Sequence, residues 1–142
     1  MQVLERFTDR LITRQRAMYA AADVPFIEKW RTAMHYIDED IEAGYPKVWL
    51  ELQAMAWNRP NFRERVARVR GEWQSVLTEA IDKALEEFGI DKSRYSTEGM
   101  TALVATFNAG ILLDRLSGVS TGHAALLDMI DRWMREMERK AK

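Results

Sequence analysis

Residues 48 to 60 read VWLELQAMAWNRP, and before the Asn-Arg-Pro step they carry Val48, Trp49, Leu50, Leu52, Ala54, Met55, Ala56 and Trp57. A helix turns about 100° per residue, so these side chains point nearly all round it, whereas a surface helix needs only one apolar stripe. The segment therefore has to be enclosed. Either it is the buried hub of a domain, or it walls a cavity that something else fills.

The flanking punctuation divides the rest of the chain into helices, and no stretch alternates as a strand would. Residues 2 to 21 place Leu4, Phe7, Leu11 and Met18 on one face, with Arg10, Arg14 and Arg16 outward. Asp23 suits an N-cap, with Pro25 in the first turn of a second helix striped by Ile27, Trp30, Met34, Ile37 and Ile41 and ended by Gly44. Pro46 opens the third helix, and Pro60 closes it because the residue before a proline is pushed out of the helical region.

Residues 61 to 88 keep helical spacing through Phe62, Val66, Val69, Trp73, Leu77, Ile81, Ala84 and Phe88, and Gly89 stands where a C′ glycine belongs. Gly71 in the middle costs about 1 kcal/mol relative to alanine and points to a kink or a close approach. A fifth helix near 97 to 117 stops at Gly118. Ser120 or Thr121 can cap a sixth, which shows Leu126, Leu127, Ile130, Met134 and Met137 on one side. The expected fold is all-α, an orthogonal bundle of about six helices in a single domain over 1 to 142.

The chain's 142 residues can hold a core without staples, since a domain of this length buries roughly two thirds of its unfolded surface. There is no cysteine, which excludes disulfides, thiolate catalysis and cysteine-ligated zinc and fits a cytoplasmic setting. Lys plus Arg number 21 against 22 Asp plus Glu, so no global field attracts nucleic acid or anionic lipid. The start, MQVLERFTDRL, has no uninterrupted apolar stretch and reads as neither a signal peptide nor a membrane span.

Catalytic motifs are missing. His35 and His123 stand on different helices, and neither forms a Glu-x-x-His or His-x-x-x-His spacing. The run Asp38, Glu39, Asp40 and Glu42 spans several helix faces and reads as a solvated surface rather than a metal site, with Lys47 a candidate basic partner. Arg59, Arg63, Arg65, Arg68 and Arg70 alternate round their helix with acids nearby, a weak phosphate patch. The reading is a non-enzyme with no cofactor and no metal.

The aromatic set is more informative. Trp30, Met34, Trp49, Gln53, Trp57, Trp73, Phe107 and Asn108 are candidates to converge inside the bundle, where flat side chains give contact and sparse amides give orientation to an apolar ligand. The same residues would serve equally as plain core. On the last two helices, Leu103, Ala109, Ile111, Leu112, Leu126, Leu127, Ile130, Trp133 and Met134 cover more circumference than one neighbour can bury, which predicts a homodimer interface of two helices from each chain.

The stretch WLELQAMAWNRPNFRER resembles the sixth and seventh helices of TetR-family transcriptional regulators, LVATFNAGILLDRLSG resembles the eighth, and residues 121 to 140 the ninth. The family's amino-terminal helix-turn-helix module does not precede Met1, so the chain matches a sensor half, whether as part of a longer regulator or as a free-standing relative. The resemblance implies a homodimer, a small apolar or amphipathic effector, no direct nucleic-acid binding by this chain, and no membrane. By it, the first helix would relay effector binding to DNA readers. The alternative reading is a helical dimerisation or protein-interaction module with a filled core.

Overall fold

In the computed structural model the chain is all-helical; the structure describes residues 2–142, with side chains from Glu5 onward. Leu4, expected on the apolar face of the first helix, lies outside the described side chains. The elements are α1 (Gln2–Ala20), α2 (Phe26–Ala43), α3 (Tyr45–Ala56), α4 (Pro60–Glu87), α5 (Thr97–Leu116) and α6 (His123–Ala141). No helix among the described residues is long and apolar enough to cross a membrane.

Helix ends follow backbone chemistry, though not always at the expected residue. Ser96 caps α5 by accepting a hydrogen bond from the Gly99 N–H at 3.1 Å. Asp23 does not cap α2: it takes the left-handed conformation at φ 61, which aspartate tolerates in a turn, and Pro25 holds the N-cap position without a side-chain bond. Gly122, at φ 77, is the residue before α6, so neither Ser120 nor Thr121 caps it. Gly44, at φ 85, joins α2 to α3 with no room for a loop.

The α3–α4 corner is fixed from both sides. Arg59 is extended (φ −131, ψ 104), as a residue preceding Pro60 must be. Arg63 reaches back to donate to the carbonyls of Ala56 at 2.9 Å and Trp57 at 2.7 Å, placing a cation on the orphaned acceptors at the negative end of α3.

The long α4 is the hub, packed along its length on α1, α3 and α5. It runs unbroken through Gly71, which is exposed and would meet nothing if a Cβ were added, so the expected kink or close approach is absent. Three buried clusters result. Ile12, Tyr19, Ala33, Val76 and Ala80 join α1, α2 and α4. Leu11, Tyr45, Trp49 and Leu52 seat α3, with the Thr8 hydroxyl bonded to the Tyr45 hydroxyl at 3.1 Å in a buried pair. Ile27, Trp30, Ala84, Phe88 and Met134 bring α6 onto α2 and α4.

The acidic end of α2 is committed to arginines rather than to Lys47. Arg14 Nη2 donates to both carboxylate oxygens of Asp40 at 2.8 and 3.0 Å, Glu39 lies 3.6 Å from the same guanidinium, and Asp38 pairs with Arg115. Asp40 and Glu39 thus share Arg14 of α1, while Asp38 meets Arg115 of α5.

Candidate functional site

A cavity of about 140 Å³ opens between α1, α2, α3, α4 and α5. Its wall is built where helices of unequal side-chain size fail to close: Ala33 of α2 and Ala105 and Ala109 of α5 leave space that Trp49 and Trp73 do not fill. Tyr19, Tyr45, Pro46 and Trp49 form buried parts of the wall, while Leu50, Gln53, Arg70 and Leu112 are half-buried and Gln74 is exposed. The lining is mostly apolar with a few polar groups, which is the composition of a ligand site.

Of the residues expected at a ligand site, Met34, Trp49, Gln53, Trp73 and Asn108 line this cavity. Trp30 and Phe107 do not. Their rings meet at 5.8 Å between centroids inside the cluster that seats α6, so they are spent on packing. Trp57 is 72% exposed, because it is the C-cap of α3 and projects past the end of the helix beside the Arg63 contact. Gln15, Tyr19 and Tyr45, which the sequence does not mark, also line the cavity, as do Asp40 and Arg70, which it places on a solvated acidic face and in a weak phosphate patch. For Gln15 a signal existed: it continues the inward face of Leu11, Ile12 and Tyr19, and a polar residue there needs a reason.

The electrostatics of the wall are uneven. Burial pushes the Asp40 carboxyl above the usual carboxylate range, against the opposing pull of Arg14. Burial likewise raises the Tyr19 phenol to about 12 and pushes the Tyr45 phenol upward, so both rings are neutral donors at ordinary pH. Asn108 Oδ1 is buried and has no hydrogen-bond partner among the described residues.

His123 accepts or donates through Nε2 at 3.1 Å from Asp114, and His35 stands 3.2 Å from Glu39. Neither reaches the cavity. No group of three or more His, Cys, Asp or Glu side chains among the described residues could hold a metal ion.

The expected interface residues divide into two sets. Ile111 and Met134 are buried inside the protomer, Leu127 and Ile130 pack on the same cluster as Met134, and Ala109 and Leu112 line the cavity. These six are occupied by their own chain, because α6 spends its main stripe on α2 and α4. Leu103, 61% exposed, and Trp133, 46% exposed, remain outward, joined by Leu113 and Met129; Leu126 is half-buried. On α5 the outward stripe reads Gly99, Ala102, Leu103, Thr106, Gly110 and Leu113. On α6, Arg31 of α2 grips Asp131 at 2.9 Å, and the helical step of about 100° places Leu126, Met129 and Trp133 on the flank turned away from that contact.

Against models of protein families, curated proteins and solved structures, the chain finds no match.

Proposed function

We propose that this domain senses a small molecule and dimerises, as the effector-binding half of a TetR-like transcriptional regulator. The observation that carries the reading is the cavity of about 140 Å³ framed by five helices, α1 among them. A site whose wall includes Gln15 and Tyr19 of α1 couples occupancy to the position of that helix, which by the resemblance would lead to a DNA reader. Coupling of this kind needs about 1–3 kcal/mol, within reach of one buried ligand's contacts.

Dimerisation would use the outward apolar residues of α5 and α6, where Leu103, Leu113, Met129 and Trp133 are exposed, since uncovered large apolar side chains are what an interface uses. These same residues favour the second reading, a helical interaction module that has no effector.

Tryptophan fluorescence and thermal unfolding across a panel of small apolar and amphipathic compounds separate the two. Binding at the cavity quenches or shifts Trp49 and Trp73 and raises Tm with concentration. A panel in which nothing moves either signal leaves only the interaction module.

A further inference from the structure

The cavity wall holds a charge that the protein does not neutralise. Two charged side chains line it, Asp40 and Arg70. Asp40 is held by Arg14 through both carboxylate oxygens, so it reaches the wall already compensated. Arg70, half-buried on α4, forms no ion pair among the described residues. Gln53 and Gln74, which share the wall with it, are neutral. A guanidinium in a partly dry wall is a planar fork of donors, and its matched ligand is a carboxylate.

A second group is equally uncommitted. Asn108 lines the same cavity, and its buried Oδ1 lacks a partner among the described residues. Leaving a buried amide oxygen unmatched is costly, and a ligand that pairs with it recovers that cost. A hydroxyl suits this position in either amide orientation, since it donates to the oxygen or accepts from the nitrogen. Size sets the third condition. A cavity of about 150 Å³ is known to accept a benzene ring, and the cavity here is about 140 Å³ with two indoles in its wall.

We infer that the ligand is a small aromatic hydroxy acid, with one ring against Trp49 and Trp73, its carboxylate on Arg70 and its hydroxyl on Asn108. The inference rests on the effector-binding reading above and narrows it from any apolar molecule to a single-ring anion.

The test titrates the full chain with 4-hydroxybenzoate, benzoate, 4-hydroxybenzyl alcohol and tyramine, read by tryptophan fluorescence and by saturation-transfer NMR on the ligand. The hydroxy acid should bind about tenfold more tightly than the alcohol of the same shape, the lower end of what a charged hydrogen bond contributes. Arg70→Gln should remove that advantage and leave the alcohol unchanged, and Arg70→Lys should restore part of it. Asn108→Ala should make 4-hydroxybenzoate and benzoate equal. Unchanged Tm values would show that each variant folds.

If the alcohol or the amine binds as well as the acid, or Arg70→Gln changes nothing, the hydroxy-acid inference is overturned while the cavity reading stands. If none of the four binds while another compound of the wider panel does, the hydroxy-acid inference falls and the effector reading stands; if no compound of either set binds, both fall.

Discussion

Arg14 on α1 holds Asp40 on α2 by two hydrogen bonds, 2.8 and 3.0 Å, while its guanidinium lies 4.0 Å from the centre of the Tyr36 ring. With the Lys29 bond to the Tyr19 carbonyl at 2.6 Å, the pair ties these helices together, and Asp40 lines the cavity. Both side chains are mostly covered, at 29% and 14% exposure, so removing one partner strands the other. Asp40→Ala should cost about 2 kcal/mol, less than a fully buried pair would because solvent still reaches Arg14. The double change Arg14→Leu with Asp40→Leu should cost clearly less than the two single changes summed, measured as a double-mutant cycle in urea.

Tyr19 supplies a pH prediction with a fixed sign. Its phenol rises from an ordinary 10.0 to about 12 because burial disfavours the phenolate. The unfolded chain therefore releases this proton first, and stability is lost as pH climbs from 10 towards 12, then levels off. The contribution is about 3 kcal/mol from a two-unit displacement. The difference in stability between the wild type and Tyr19→Phe should be flat below pH 10 and change only in that window. A difference that stays flat to pH 12 would show that the ring is solvated.

Two glycines lie in exposed helix interiors, Gly71 in α4 and Gly110 in α5, and neither would meet an atom within 4 Å if a Cβ were added. As a monomer, each should gain up to about 1 kcal/mol on change to alanine. Gly71→Ala is expected to show that gain at any concentration. Gly110 sits on the outward stripe of α5 with Leu103 and Leu113, where a second helix in close contact would have no space for a methyl. In a dimer using that face, Gly110→Ala should instead weaken association, read by sedimentation against a dimer mass of roughly 33 kDa, twice the 16.5 kDa chain. Equal gains at both sites, with a monomeric profile, would place the interface elsewhere or remove it.

Filling the cavity gives the fourth prediction. Ala109, half-buried on α5, borders the empty space, and Ala109→Leu should raise stability by about 1 kcal/mol, as cavity-filling changes commonly do. The same change should abolish every fluorescence response to small aromatic ligands. A variant that is more stable yet still binds would locate the ligand outside this cavity.

How far the sequence reached can be judged from Trp30 and Trp49. Both fall at inward helical positions, and both are buried. Only one borders the cavity, and the reason lies across the interior: Trp30 meets Phe107 and packs with Met134 of α6, whereas Trp49 shares the cavity wall with Ala33 of α2 and Ala105 and Ala109 of α5. Periodicity reports which face is inward but not what stands opposite it.

Element ends were legible because Gly44, Pro46, Pro60, Gly89 and Gly118 act locally through the backbone. Asp23 misled because a capping residue and a left-handed turn residue share one composition. Arg70 was hidden in a run of arginines, and its role separates from theirs only when Arg63 is seen capping α3 and Arg68 meeting Glu5 across 63 residues. Likewise, Ile111, Leu127, Ile130 and Met134 read as surplus apolar surface until the position of α6 is known.

The docking of α6 has a consequence for the growing chain. Ile27, Trp30, Ala84 and Phe88 form a surface that is not fully covered until Met134 has been made and has emerged from the ribosome. At about 5–20 residues per second, the stretch from Phe88 to Met134 takes on the order of several seconds to translate. Throughout that interval the later chain can lay Val104 and Phe107 of α5 on this face but not Met134, so its closure is among the last steps of folding during synthesis.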